Sequence, residues 1–273
     1  MTILVTGATG NIGRMLVDHL IAAGAPSIRA LTTDPERAEL PDGVEVATGY
    51  IGRPDTLPDA FDGVESVYLA PLEKTVHDVL GIAAAAGVRL VVDLAGPPEN
   101  WWYPISEAVE ASGIDWTHLW PGEFMENTTT WSEQIRETDS VREPFPNSAN
   151  APIAMDDIAA VAAVCLTQPG HTRSAYTLTG PETLSRTDLL QHIGDALGRT
   201  LSFRTVSREE ALTILEPVMG SFAHTYLDGL RSYAEHPQQA LTTVADLTGH
   251  VTDYARWARD HVDEFRTPAP NRD

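Results

Sequence analysis

Residues 3 to 13 read ILVTGATGNIG, an apolar run of strand composition that passes straight into Gly7-x-x-Gly10-x-x-Gly13. Ile12, Leu16 and Leu20 then recur at four-residue spacing, with Val17 and Ile21 beside them, which predicts an amphipathic helix ending near Gly24 and Pro26. Few folds accept a buried strand, a glycine turn and a helix in such quick succession. Each glycine answers a separate requirement. Gly7 permits the tight turn off the strand, Gly10 lets backbone amides approach a pyrophosphate with no Cβ in the way, and Gly13 allows the helix to pack closely. A pyrophosphate placed there meets the positive end of the helix dipole. A glycine triplet alone is weak evidence; the strand before it and the helix after it are the confirming context for a dinucleotide site.

The alternation continues. Strand candidates follow at 28–32 (IRALT), 44–48 (VEVAT), 66–70 (SVYLA), 89–94 (RLVVDL) and 115–119 (DWTHL), separated by helical or turn-rich segments. Such βαβ repetition predicts an α/β fold, a doubly wound parallel sheet of the Rossmann type. After Pro121 the pattern changes. Residues 139–155 (DSVREPFPNSANAPIAM) are rich in Pro, Asn and Ser and read as a loop or crossover. A helix is expected from Asp156 to Leu166, a strand at 174–179, a helix from Arg186 to Leu197 opened by the capping-box spacing of Ser185 and Asp188, and a strand at 201–206. The rest reads as helical, and the tail TPAPNRD is expected to be loose. The expected division is a dinucleotide-binding domain over 1–150 and a smaller, mostly helical substrate region over 151–273, partly interleaved with the first.

Composition narrows the partners. Eighteen Lys plus Arg stand against 39 Asp plus Glu in 273 residues, a formal net charge of −21. Such a chain repels phosphate backbones and anionic headgroups, so neither nucleic acid nor membrane is an expected partner. With 42% apolar and 21% charged residues the composition is that of an ordinary globular protein. The single cysteine, Cys165, excludes an internal disulfide and any zinc site built on several cysteines, and its apolar surroundings read as core. No export leader or membrane-length apolar stretch is legible, so a soluble cytoplasmic protein is expected and the glycosylation pattern at Asn127 carries no weight. Nine histidines show no HExxH or other ligand spacing, so no metal is expected, and neither a Gly-x-Ser-x-Gly elbow nor a Walker lysine is present.

GATGNIG, SVYLAP, AVEASGIDWTHLWPGEFMEN, APIAMDDIAAVA and YTLTGPETLS, in this order over nearly the whole chain, resemble the NmrA-like family of atypical short-chain dehydrogenase/reductase proteins. The resemblance implies a Rossmann domain binding NAD(P) and a smaller region closing over substrate. It does not imply one reaction, because the family holds reductases of quinones, ketones and phenylpropanoids beside redox-sensing regulators. The cofactor residues expected are Gly7, Thr9, Gly10, Asn11, Ile12 and Gly13 in the loop, Thr32, Thr33 and Arg37 after the second strand, and Tyr50 and Ile51 after the third. Leu69, Ala70, Pro71, Ala95 and Pro121 are expected at later strand ends. NADP-using relatives often carry Arg where Thr33 stands, though Arg37 or Arg14 could supply that charge. Asp34 could serve NAD or simply start a helix. The cofactor is therefore NADP(H) or NAD(H), with a lean to NADP(H) from family habit. Where relatives have Gly-Asp-Leu by the adenine, this chain has Gly49-Tyr50-Ile51.

The usual proton-transfer residues are missing. At the strand end that carries Ser in typical short-chain reductases stand Asp93-Leu94-Ala95-Gly96, and in place of Tyr-x-x-x-Lys stands Tyr103-x-x-x-Glu107. A carboxylate there disfavours a phenolate, where an ammonium would favour it. Tyr103, Glu107 and Asp93 are the catalytic candidates. Trp102, Glu123, Phe124, Asn127 and Phe222 are the substrate candidates. Trp101, Trp102 and Tyr103 cannot all face one core, and an aromatic surface of this kind suits an aromatic or polycyclic substrate. Phe222, His224, Tyr226 and Tyr233 are spaced as a helix face. The expected function is an NAD(P)H-dependent reductase of a small aromatic or conjugated carbonyl or quinone-like molecule, working as a monomer or homodimer. The alternatives are an NAD(P)-binding, redox-sensing regulator acting through protein partners, and a non-redox lyase, isomerase or cyclase using carboxylates such as Asp93, Glu107 or Glu123.

Overall fold

Ile3, Leu4 and Val5 are all without exposed surface, which a strand achieves only with neighbours on both edges and cover on both faces. A computed structural model, describing residues 1–267, supplies both; of the tail, residues 268–273 lie outside the described residues. Along the chain the strands are β1 (Ile3–Val5), β2 (Ile28–Thr32), β3 (Glu45–Thr48), β4 (Ser66–Leu69), β5 (Leu90–Leu94) and β6 (Asp115–Pro121). They continue as β7 (Ser140–Glu143), β8 (Ala149–Asn150), β9 (Ser174–Leu178), β10 (Leu184–Ser185) and β11 (Ser202–Thr205). The helices are α1 (Asn11–Ala22), α2 (Pro58–Phe61), α3 (Val76–Ala85), α4 (Tyr103–Ala111), α5 (Ser132–Thr138) and α6 (Met155–Thr167). After them come α7 (Arg186–Leu197), α8 (Arg208–Met219), α9 (Phe222–Glu235), α10 (Thr243–Thr248) and α11 (Tyr254–Asp260).

Chain contacts divide the molecule into two units that alternate along the sequence. The first holds Met1–Pro121, Met155–Leu178 and Thr243–His250; the second holds Gly122–Ala154, Thr179–Thr242 and the chain from Val251 on. In the first unit seven strands form one sheet in the order β3-β2-β1-β4-β5-β6-β9, with every pairing parallel. This is the Rossmann-type sheet expected from the alternation, and its order reverses between β1 and β4, where such sheets bind ligands. One face packs Leu4, Leu31, Val67, Leu69 and Val91 against Phe61, Val79, Leu80, Ile105 and Val109. Cys165 is buried in α6, and burial pushes its thiol up to about 12, so it behaves as core.

The second unit is built differently. Trp131, Tyr254, Trp257 and Phe265 form an aromatic core with Leu189, Leu190 and Ile193 of α7, and α8 and α9 close a smaller cluster around Leu215 and Leu227. Two short ladders brace it: β7 pairs parallel with β11, and β8 antiparallel with β10. The reading of 139–155 as loop or crossover is thus corrected. Ser140–Glu143 and Ala149–Asn150 are strands whose partners lie some 60 and 35 residues downstream, a pairing that local composition does not reveal. The aromatic stripe also divides: Tyr226 is buried and Tyr233 half-buried, whereas Phe222 and His224 are exposed. Among the described residues no helix is long and apolar enough to cross a membrane.

Candidate functional site

At the reversal of strand order, Thr6 fastens the end of β1 to the end of β4: its Oγ1 donates to the Tyr68 carbonyl at 2.9 Å and accepts from the Ala70 amide at 2.8 Å. The chain then turns at Gly7, whose φ of +62° is a left-handed conformation that favours glycine. A Cβ at Gly13 would stand 2.1 Å from the Gly7 carbonyl oxygen, so α1 packs on this turn more closely than any other residue permits. Gly10 caps α1 with extended backbone, makes no side-chain cap, and is followed by no acidic residue in the first turn. By contrast α7, α8 and α11 are closed by Ser185, Ser207 and Asp253. The first amides of α1 therefore lack both an internal partner and a capping oxygen, an arrangement that fits the pyrophosphate of a dinucleotide.

Beside this helix end lies a cavity of about 290 Å3, lined by Gly7, Thr9, Leu31, Thr32, Thr33, Gly49, Tyr50, Ile51, Ala70, Pro71 and Leu72. It gathers the ends of β1, β2, β3 and β4. Eight of the cofactor candidates line it; Leu31, Gly49 and Leu72 were not among them. Gly10, Asn11, Ile12 and Gly13 form the adjoining helix start. Leu69 is 3% exposed and belongs to the core cluster, as does Ala95, which has no exposed surface. Arg37 is exposed in the turn after β2 and does not line the cavity, and Pro121, half-buried, ends β6.

The catalytic candidates separate. Tyr103 is half-buried at the first turn of α4, and Glu107, four residues on, is exposed. Asp93 is not at a cleft surface. It has no exposed area, and its Oδ2 lies 2.6 Å from Nδ1 of the equally buried His118 on the neighbouring strand. Burial pushes the Asp93 carboxyl up and the His118 ring pulls it back. The second nitrogen of that ring, Nε2, is 3.3 Å from Glu110 Oε1 on α4. Trp116 stacks on His118 at 4.0 Å, and Trp120 lies parallel at 6.0 Å, with its Nε1 donating to Ser106 Oγ at 3.1 Å. Asp93 thus joins β5, β6 and α4, a role the strand sequence alone did not distinguish from a catalytic one. Trp102, also half-buried, packs against Trp101 at 4.8 Å and donates its amide to Asn100 Oδ1 at 2.9 Å.

In the second unit Glu123 belongs to a buried polar cluster that sequence reasoning missed. Arg186, 1% exposed, donates Nε and Nη2 to the Glu143 carboxylate at 3.0 and 3.1 Å and lies 4.3 Å over the Trp131 ring. Trp131 Nε1 and the Tyr226 hydroxyl also donate to Glu143 Oε1, at 2.7 and 3.1 Å. Glu143 is thereby saturated. Glu123 Oε1 stands off at 3.6 Å from Arg186 Nη1, while Asn150 donates to its Oε2 at 3.2 Å. Burial pushes the Glu123 carboxyl up, and Arg186 opposes that shift. Phe124 and Asn127 are half-buried beside it, Phe124 bridging to Ile153, whereas Phe222 is 44% exposed at the start of α9. Nothing in the residue pattern pairs positions 123, 143, 186 and 226; only the fold brings them together. Among the described residues no group of three His, Cys, Asp or Glu side chains is placed to hold a metal.

A family model described as the NmrA-like family matches residues 1–91. A (4-alkanoyl-5-oxo-2,5-dihydrofuran-3-yl)methyl phosphate reductase from Streptomyces griseus is 33% identical over 96% of this chain and 99% of its own length. An NAD(P)H azoreductase from Xenophilus azovorans is 32% identical over the same shares. Among solved structures, the triphenylmethane reductase of Citrobacter sp. superposes with a TM-score of 0.86 at 21% identity, covering 96% of this chain and 100% of that one. The NADPH complex of an Escherichia coli quinone oxidoreductase also gives 0.86, at 22% identity over 96% and 99%. These two share the fold. Similarity to the two reductases along the full length, together with the glycine loop and the sheet order, places this chain in the NmrA-like family.

Proposed function

We propose that this chain is an NAD(P)H-dependent reductase of a small aromatic or conjugated carbonyl or quinone-like molecule. The observation that carries the reading is the uncapped start of α1 beside the cavity at the reversal of strand order, in a chain whose full-length relatives are named as reductases. Those names weigh against a regulator or a non-redox enzyme. The bound dinucleotide would supply a hydride. The amides of the Gly7–Gly13 loop would hold its pyrophosphate, and Thr32, Thr33, Tyr50 and Ile51 would surround its adenosine end. Ala70 and Pro71 would line the path toward the nicotinamide. Tyr103, or water, would supply the proton, since no lysine or arginine stands four residues along α4. Trp102, Glu123, Phe124, Asn127 and Phe222 are the proposed substrate contacts, and the protein is proposed to act as a monomer or homodimer in the cytoplasm.

Calorimetric titration of the purified protein with NADPH, NADH and NADP+ tests the first half. Binding of none of them removes the reading. A screen of NADPH oxidation against quinones and enones tests the second, and no turnover across a broad panel would point back to a cofactor sensor.

A further inference from the structure

Tyr103 is the proposed proton donor, and Glu107 on the next turn of α4 is exposed. What fixes α4 lies elsewhere on the helix and on the neighbouring strand. Tyr103, Ser106 and Glu110 stand at i, i+3 and i+7, one stripe of the helix. On β6, Trp116, His118 and Trp120 are alternate residues and share one face of the sheet. The two stripes meet. Trp120 Nε1 donates to Ser106 Oγ at 3.1 Å, and His118 Nε2 lies 3.3 Å from Glu110 Oε1. Contacts that advance from 106 to 110 on the helix step back from 120 to 118 on the strand, so α4 runs antiparallel to β6. Tyr103, about 4.5 Å ahead of Ser106 along the helix axis, therefore stands past Trp120, toward the carboxyl ends of the strands. Ligands of such sheets gather there.

The anchor is braced from behind. His118 has no exposed side-chain surface, and its Nδ1 is 2.6 Å from Oδ2 of Asp93, equally buried on β5. Trp116 stacks on the ring at 4.0 Å and Trp120 lies parallel to it at 6.0 Å. With partners on both nitrogens, the ring cannot turn without breaking a buried contact. Glu110, its side chain 47% exposed, is the outer end of the row. A general acid has to be held within about 0.5 Å of its productive geometry, and a misplacement of about 1 Å can cost about a hundredfold in rate.

Resting on the reading of Tyr103 as proton donor, we propose that the row Asp93–His118–Glu110 is a positioning device for the reaction. His118 and Glu110 set the register of α4 on β6 and thereby hold the Tyr103 hydroxyl where it delivers its proton. Tyr103 gives that proton to the reduced acceptor and regains one from water. Neither His118 nor Glu110 touches the substrate.

Glu110→Ala removes the outer anchor at a half-exposed side chain and puts the best helix former in its place, so the fold is retained, as circular dichroism checks. Its kcat for NADPH oxidation by 1,4-naphthoquinone should fall at least about fivefold. The quinone KM and the NADPH Kd should stay within about twofold of wild type, and in a Tyr103→Phe background the same substitution should change kcat by less than about twofold. Glu110→Gln, whose amide can accept from Nε2 or donate to it, should restore the rate. Without any dinucleotide, hydrogen exchange across α4 should be at least about threefold faster in Glu110→Ala than in wild type. An unaltered kcat or unaltered exchange in Glu110→Ala overturns the proposal and leaves the reductase reading in place. So does an equal loss of rate with and without the Tyr103 hydroxyl, or a Glu110→Gln protein as slow as Glu110→Ala. A Tyr103→Phe protein as fast as wild type overturns the proton-donor reading and this proposal with it, and a wild type that reduces none of the quinones and enones overturns the reductase reading beneath both.

Discussion

Replacing Gly13 with alanine tests the phosphate loop at its tightest contact. The added Cβ would lie 2.1 Å from the Gly7 carbonyl oxygen, 2.7 Å from its carbon and 3.0 Å from Ala8 Cα, all backbone, where ordinary contact begins at 3.4 Å. Something must move by about 1 Å, a shift large enough to turn a sound hydrogen bond into none. The turn resists, because Gly7 is held in a left-handed conformation, its carbonyl accepts from the Gly10 amide at 2.9 Å, and Thr6 is fastened to β4 on both sides of its hydroxyl. The helix resists through Leu16, Val17 and Leu20, none of which has exposed surface. Overpacking of this sort destabilises by about 1–3 kcal/mol, and with neither side free to yield the upper half of that range is expected. At about 2–4 °C per kcal/mol for a unit of this size, the melting temperature should fall by about 5–10 °C. Because the displaced turn and helix start carry the amides proposed to hold the pyrophosphate, dinucleotide affinity should fall by at least about tenfold. Gly10→Ala is the control. Its Cβ meets only the Gly7 oxygen, at 3.2 Å, so its effect on stability should stay near the 1 kcal/mol of an altered helix cap. A Gly13→Ala protein that melts with the wild type and binds both dinucleotides normally would refute the close approach of α1 to the Gly7 turn, and with it the placement of the loop.

Gly10→Asp puts a carboxylate against the proposed pyrophosphate position and should abolish dinucleotide binding in calorimetry; unchanged affinity would move the site elsewhere. Tyr103→Phe should lower kcat with an active electron acceptor while leaving the dinucleotide Kd unchanged, and an unaltered rate would remove Tyr103 from proton transfer. Asp93→Asn takes one partner from a fully buried pair, a change of about 3–5 kcal/mol that should appear as a lower urea midpoint. A midpoint equal to wild type would mean that the Asp93–His118 contact does not stabilise the fold. His19, hydrogen-bonded to Asp156 at 2.8 Å, has its pKa raised above 6.5 first by that bond. Since the folded value exceeds the unfolded one, the pair's stabilisation is full below pH 6.5 and lost as pH rises through the raised value. Partial exposure limits it to about 0.5 kcal/mol. Thermal melts of His19→Gln and wild type should therefore differ at pH 6 and converge at high pH; a gap that widens with pH would contradict the sign.

Most of the first unit was legible because its signals are local. Strand, glycine turn and helix follow one another within Ile3–Ala22, and each later strand of the sheet carries its own apolar run. The cavity lining was legible for the same reason: in a doubly wound sheet the residues just after each strand are the ones that meet a ligand. Where that rule failed, at Leu69 and Ala95, the side chains point into the core while their backbones mark the strand ends, and one residue of register decides which. Asp93 failed differently. An acid near a strand end reads as a cleft residue until the register of β5 on β6 sets His118 beside it, and that register is not written in either strand. The second unit was least legible. Its ladders pair segments far apart in the chain, and its polar core is assembled from residues 123, 143, 186 and 226 with no spacing to announce it.

The acidity of the chain bears on how its two carboxylate clusters are read. With 39 Asp and Glu and 18 Lys and Arg, positive charge is scarce, and its deepest use among the described residues is structural: Arg186 donates Nε and Nη2 to Glu143 and Tyr226, while its Nη1 faces Glu123 across 3.6 Å. Two carboxylates beside one arginine divide their roles by hydrogen bonding. Glu143, accepting two bonds from Arg186 and one each from Trp131 and Tyr226, is the ion-pair partner. Glu123, with Asn150 donating to one oxygen and only the 3.6 Å approach of Arg186 Nη1 at the other, is the one that burial drives toward its neutral form. At the proposed phosphate site the same scarcity is met without cations at all, by uncapped amides at the start of α1. A reductase built this way binds its dinucleotide through geometry, so the sensitive substitutions are glycines, and exchanging surface charges elsewhere should leave cofactor binding nearly unchanged.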